Sequence, residues 1–125
     1  MPTMANDHAI LIVDDDEDIR ELLAELLRDE GYRVQTAKNG HDALTSLRTG
    51  TDPPCLIILD LMMPVMNGFQ FLEALRRDPA LSLIPVAVVT ANGSLGTEER
   101  AAIAAPILAK PLELRRLLEV VRQLC

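Results

Sequence analysis

Aromatic residues are nearly missing from this 125-residue chain: two Phe, one Tyr and no Trp, 2% in all. The core must therefore come from Leu, Ile, Val, Ala and Met, within a hydrophobic share of 49%. Basic residues are also short. Twelve Lys and Arg stand against nineteen Asp and Glu, for a net charge of -7. A nucleic-acid surface needs a basic patch, and an anionic membrane would repel such a chain, so neither partner is expected. The two cysteines, Cys55 and Cys125, form no C-x-x-C metal spacing. They are expected to be two free thiols in a reducing compartment. No apolar run approaches the ~20 residues of a membrane span. The opening MPTMANDH lacks the basic start and apolar stretch of a signal peptide, which makes the cytoplasm the expected location. Repeats, low-complexity tracts and Pro/Gly/Ser linkers are absent too, and the length suits one domain with one core.

What is present is an alternation of short apolar runs and amphipathic stretches. AILIV (9–13) reads as a strand, followed by a helix carrying Ile19, Leu22, Leu23, Leu26 and Leu27 and stopped by Gly31. Tyr32 to Ala37 reads as a second strand, Asn39-Gly40 as a turn, and Ala43, Leu44 and Leu47 mark a second helix ending near Gly50. After Pro53-Pro54, CLIIL (55–59) forms a third strand running into Asp60. Pro64 and Gly68 punctuate a loop before a helix over 69–77. VAVV (86–89) is a fourth strand leading to Thr90. Gly93 and Gly96 then precede a short fourth helix with Thr97 as its N-cap, and Pro106 ends it. A brief strand over 107–109 follows, and Lys110-Pro111 opens a last helix. Strands that are apolar on both faces, separated by helices, imply an α/β doubly wound parallel sheet. For five strands the flavodoxin-like order 2-1-3-4-5, with five helices, leads.

In such a sheet, functional groups gather at the carboxyl ends of the strands. There the sequence places Asp14, Asp15 and Asp16, then Asp60, Thr90 and Lys110. Crowded carboxylates force a proton onto one of them unless a cation compensates. Mg²⁺, or Mn²⁺ in its place, fits an all-oxygen donor set. A metal, an ammonium and a hydroxyl around a carboxylate make a pocket for a phosphoryl group, with the carboxylate as nucleophile. Each residue has a plainer reading: the Asp run as a helix cap, Asp60 as a loop acid, Thr90 as a strand-end residue, Lys110 as a solvated lysine. Asp16 is assigned to capping in any case. The functional reading rests on all four strand ends converging at once.

VDDDED, LDLMMPVMNG, VVTA and AKP, in that order, resemble the receiver domains of bacterial response regulators, over essentially the whole chain. The resemblance implies a receiver domain over 9–125 after a tail over 1–8. It implies that Asp60 accepts the phosphoryl group from the phosphohistidine of a histidine kinase or phosphotransfer protein. Asp14 and Asp15 would bind Mg²⁺ with Asp60 and the backbone carbonyl of Met62. Thr90 and Lys110 would contact the phosphoryl oxygens, and Ala91 would be the small residue beside them. The bond between Lys110 and Pro111 is often cis in the family. Output would be protein–protein contact, with no turnover of a small molecule.

The chain departs from the family where an aromatic residue often precedes the lysine by three positions; here it is Ile107. An aliphatic side chain cannot report activation by a ring flip. Ile103 and Leu108, near the stunted fourth helix, could either bury or expose apolar surface. These features raise an alternative, a pseudo-receiver that binds partners without being switched by phosphorylation. A haloacid-dehalogenase-like phosphatase would need an Asp two residues after the nucleophile, where Met62 stands. Asn67, where the family often has Asp, is expected to matter little.

Overall fold

The protein is described by a computed structural model covering residues 9–50, 52–63, 65–91 and 95–125. The tail over 1–8, Pro64 and Gly93 lie outside the described residues. Ten elements alternate: β1 (Ala9–Val13), α1 (Glu17–Asp29), β2 (Arg33–Ala37), α2 (Gly40–Thr49), β3 (Leu56–Asp60), α3 (Gly68–Arg77), β4 (Val86–Thr90), α4 (Thr97–Ile103), β5 (Ile107–Ala109) and α5 (Leu114–Leu124). The strands form one parallel sheet in the order β2-β1-β3-β4-β5, as the sequence predicts.

Because successive strand residues point to opposite faces, the apolar runs feed two cores. Ile10, Ile12, Ile58 and Val89 point toward α1 and α5, where Leu23, Leu27, Leu117 and Val121 meet them. Leu11, Val13, Ile57 and Val88 point the other way, against residues that include Leu44 of α2, Phe71 and Leu75 of α3 and Ile103 of α4. Burial on both faces explains why β1, β3 and β4 are apolar throughout, whereas the edge strand β2 is half exposed. Phe71 is the one aromatic ring fully enclosed among the described residues. No helix of the described residues is long and apolar enough to cross a membrane.

The helix ends show what local chemistry fixes. Asp16 caps α1 as expected, its Oδ1 accepting from the amides of Asp18 (3.0 Å) and Ile19 (3.2 Å). Asn39 belongs to α2 as its N-cap, accepting from Asp42 N at 2.7 Å. Asn67 caps α3 in a reciprocal box with Gln70.

Two helix starts differ from expectation. Thr97 is the first residue of α4 rather than its cap; the Gly96 amide donates to the Glu99 carboxylate at 2.9 Å instead. Lys110-Pro111 does not open α5, which begins three residues later at Leu114. The peptide bond between them is cis, and both residues belong to the rim. The fourth helix is short, with 7 residues, and its carboxyl end is held from outside. Arg76 of α3 donates to the carbonyls of Ala102 (2.8 Å) and Ile103, supplying a cation where the helix dipole is negative. Ile103 and Leu108 are both buried.

The cysteines correct the sequence reading. Cys55 and Cys125 are disulfide-bonded, with Cα atoms 5.1 Å apart. The cause is topological. In a parallel α/β sheet each helix runs back against its strands, so the end of α5 returns to the level where β3 begins. Seventy residues separate the pair in sequence, and no spacing rule brings them together.

Candidate functional site

Three polar residues are buried among the described ones: Asp14, Asp60 and Thr90. All sit at carboxyl ends of central strands. Asp60 and Thr90 are the last residues of β3 and β4, and Asp14 directly follows β1. Buried polar groups are costly unless paired, so their concentration at one rim marks that rim as the exceptional part of the core.

Asp14 is held on several sides. Its Oδ1 accepts from Asp16 N at 2.9 Å, and Oδ2 lies 3.6 Å from Lys110 Nζ. Its backbone carbonyl accepts from Arg20 Nη1 at 2.8 Å. Asp60 Oδ1 accepts from the Met62 amide at 3.1 Å, and Oδ2 lies 3.7 Å from Lys110 Nζ. Lys110 arrives from beyond β5, where its amide donates to the Thr90 carbonyl at 2.9 Å. That bond continues the β4–β5 ladder by one residue and fixes the point from which the side chain reaches across the rim.

Asp15 is exposed, yet one carboxylate oxygen from each of Asp14, Asp15 and Asp60 falls within 4.8 Å of the others. These hard oxygen donors suit Mg²⁺ or Mn²⁺ rather than a soft metal. Burial raises the Asp60 carboxyl from 3.8 to about 6, helped by the Asp14 and Asp15 charges and opposed by the Met62 amide and Lys110. A divalent cation here would offset both the crowding and the cost of burial.

The structure thus brings Asp14, Asp15, Asp60, Lys110 and Thr90 to one rim, with the Met62 amide bonded to Asp60. Two residues that sequence reasoning passed over also shape the site. Arg20 anchors the Asp14 backbone; its position six residues on, one turn into α1, was the available signal. Gly68, read as loop punctuation, allows a close approach. A Cβ there would lie 2.6 Å from Leu61 Cα and 3.0 Å from the Asp60 carbonyl oxygen. The turn before it is tight, with Val65 at a φ of 69°, unusual for a β-branched residue.

Comparison with known proteins identifies the family and the fold. Residues 10–122 match the family described as response regulator receiver domain. The transcriptional regulatory protein CpxR homolog of Haemophilus influenzae is 43% identical over 84 residues, 67% of this chain and 34% of that protein. Response regulator Rre1 of Synechocystis is 38% identical over 94 residues, 74% of this chain and 40% of its own length. The chain therefore spans well under half of these two relatives. An uncharacterized 14.6 kDa protein of Leptolyngbya boryana is 35% identical, over 93% of this chain and 88% of its own. Among solved structures, chemotaxis response regulator CheY4 of Vibrio cholerae superimposes with a TM-score of 0.83 at 32% identity, covering 94% of this chain and 98% of that one. TrrA of Thermotoga maritima, in complex with Mg²⁺-BeF, gives 0.82 at 33% identity, covering 94% and 99%.

Proposed function

The chain belongs to the response regulator receiver domain family, and we propose that it accepts a phosphoryl group on Asp60 from the phosphohistidine of a histidine kinase or phosphotransfer protein. The observation that carries this is the position of the Lys110 ammonium, 3.6 Å from Asp14 and 3.7 Å from Asp60, beside oxygens able to share a cation. We assign the domain to residues 9–125, after a tail over 1–8, and the site of action to the cytoplasm, where such phosphodonors work. The family is one of signalling modules, and the proposed output is protein–protein contact rather than turnover of a small molecule.

With its carboxyl at about 6, Asp60 is mostly ionised at neutral pH and available as a nucleophile. One carboxylate oxygen attacks phosphorus. An O–P bond forms at Asp60 as the P–N bond of the phosphohistidine breaks, and the electron pair leaves with the imidazole. Asp14, Asp15, Asp60 and the Met62 carbonyl would hold Mg²⁺, which when bound neutralises phosphoryl oxygen charge. Lys110 adds a second positive charge from the side of β5. The Thr90 hydroxyl, at the end of the adjacent strand, donates to a phosphoryl oxygen, and Ala91 leaves room for it. The Mg²⁺-BeF complex of TrrA, a structure similar to this chain, supports the binding of Mg²⁺.

The test is incubation with Mg²⁺ and acetyl phosphate followed by intact mass measurement. Wild type should gain one acid-labile phosphoryl group and Asp60→Asn none. Equal labelling of the two proteins would overturn the assignment.

A further inference from the structure

The passage from β1 into α1 carries an unbroken run of acids, residues 14–18. Arg20 follows in the first turn of α1, yet among the described residues it forms no ion pair. Its guanidinium donates instead to a neutral acceptor, the backbone carbonyl of Asp14, at 2.8 Å. Helix stability gives no reason for this residue, because a cation in the first turn opposes the helix dipole. Solvation gives none either, because the side chain is half-buried.

The place of this bond gives it leverage. The β1 ladder ends at Val13, which pairs with Ala37 on one side and Leu59 on the other. The Asp14 amide still donates to the Ala37 carbonyl at 3.2 Å. The Asp14 carbonyl is met by Arg20 rather than by a strand. That oxygen lies in the peptide plane joining the Cα atoms of Asp14 and Asp15. Because a peptide unit is planar, holding its oxygen fixes how the two Cα atoms are turned toward each other. Each bears a carboxylate, and one oxygen of each lies within 4.8 Å of an Asp60 oxygen. The Asp14 carboxylate has ties of its own to Asp16 N and Lys110. Asp15 is exposed, and its direction depends on this plane.

We infer that Arg20 is a positioning residue for the divalent cation: through the Asp14 carbonyl it holds the Asp14 and Asp15 carboxylates in the arrangement that receives Mg²⁺. This role rests on the metal site proposed for the rim. Groups that orient metal ligands without touching the metal commonly carry a factor of roughly 10–100 in affinity. A bond to the backbone, rather than to a ligand oxygen, puts Arg20 at the lower end. The sign of the effect separates two roles. As a charge alone, Arg20 repels a cation, and its loss should tighten Mg²⁺ binding. As an anchor, its loss should weaken it.

Calorimetric titration of the unphosphorylated chain with Mg²⁺ alone reads this apart from phosphotransfer. Arg20→Met keeps an apolar stem and loses the donors, and its Kd for Mg²⁺ should rise about tenfold. Arg20→Lys retains a donor and should return to within about threefold of wild type. In labelling by acetyl phosphate, Arg20→Met should need about tenfold more Mg²⁺ for half the maximal rate, with the plateau within about twofold of wild type. Urea unfolding in chelator establishes that each variant is folded. Unchanged or tighter Mg²⁺ binding by folded Arg20→Met overturns the role and leaves the metal site standing, with Arg20 a structural tie alone. An equal loss in Arg20→Lys overturns it too, because a donor at this position would then not be what matters. A wild type that binds no Mg²⁺ removes the metal site itself, and the role of Arg20 falls with it.

Discussion

Lys110 Nζ lies 3.7 Å from Asp60 Oδ2 and almost equally far from Asp14 Oδ2, so one ammonium is shared between two buried carboxylates. This placement makes the lysine a rival of any cation that the carboxylates recruit. Lys110→Ala should tighten Mg²⁺ binding, roughly three- to tenfold, by removing like-charge repulsion. It should at the same time slow labelling by acetyl phosphate by a factor of 10² or more, on the order seen for loss of an oriented charge partner. Calorimetric titration with Mg²⁺ reads the first effect and intact mass against time the second. Unchanged or weaker Mg²⁺ affinity would show that the ammonium does not compete.

Asp60 also sets a pH dependence. Its carboxyl is raised from 3.8 to about 6 in the folded chain, so between these values the native state holds a proton that the unfolded state has lost. The protonated form favours folding. Its contribution is complete below pH 3.8 and fades as pH rises through about 6, leaving the metal-free protein less stable at neutral pH by on the order of 2–3 kcal/mol. Urea unfolding in chelator should therefore show Asp60→Asn gaining stability over wild type at pH 7.5 and little at pH 4. A gain that is the same at both pH values would mean that ionisation of Asp60 is not its source.

Saturating Mg²⁺ should recover part of that loss. Ions that bind only the native state stabilise by mass action, so about 100-fold excess over Kd gives about 2.7 kcal/mol. Melting temperature should rise with Mg²⁺ and return with EDTA, and Asp15→Asn should blunt the rise. Because Asp15 is exposed, that variant should fold normally, which separates metal binding from core stability.

Gly68→Ala should cost about 1–3 kcal/mol, because its Cβ would overlap the backbone at Leu61 and crowd the Asp60 carbonyl. The same shift should disturb Asp60, so labelling should fall along with stability. Thermal melts and acetyl phosphate labelling check this pair. Loss of stability with full labelling speed would limit Gly68 to packing.

Closing a 70-residue loop, the bond between Cys55 and Cys125 should add about 2–4 kcal/mol over its reduced form. Cys125→Ser and reduction by a thiol should lower the urea midpoint equally, and reduction should leave Cys125→Ser unmoved. In a reducing compartment the same pair would stand as two adjacent thiols. An identical midpoint with and without reductant would remove the bond from the stability of the fold.

Much of this architecture could be read directly from the chain. Apolar runs bounded by Gly, Pro and Asp identified β1, β3, β4 and β5, since burial on both faces leaves no polar alternative along β1, β3 and β4. The strand-end rule then placed Asp14, Asp60, Thr90 and Lys110 on one rim, because a parallel sheet aligns every carboxyl end. Local chemistry was legible where it acts within a few residues, as at Asp16. It was misread at Thr97 and Pro111, where backbone geometry beyond the sequence pattern sets the helix start.

The sequence by itself determined the sheet, its order and the set of groups at the rim, for these follow from periodicity and topology. Tertiary structure alone decided the rest: the lysine between two carboxylates, the close approach of Gly68 to Leu61, the Arg76 clamp on α4 and the joined cysteines. Each is a contact between elements distant in sequence or a backbone approach within about 3 Å. Such contacts depend on how helices seat against the sheet, which no local pattern of residues encodes.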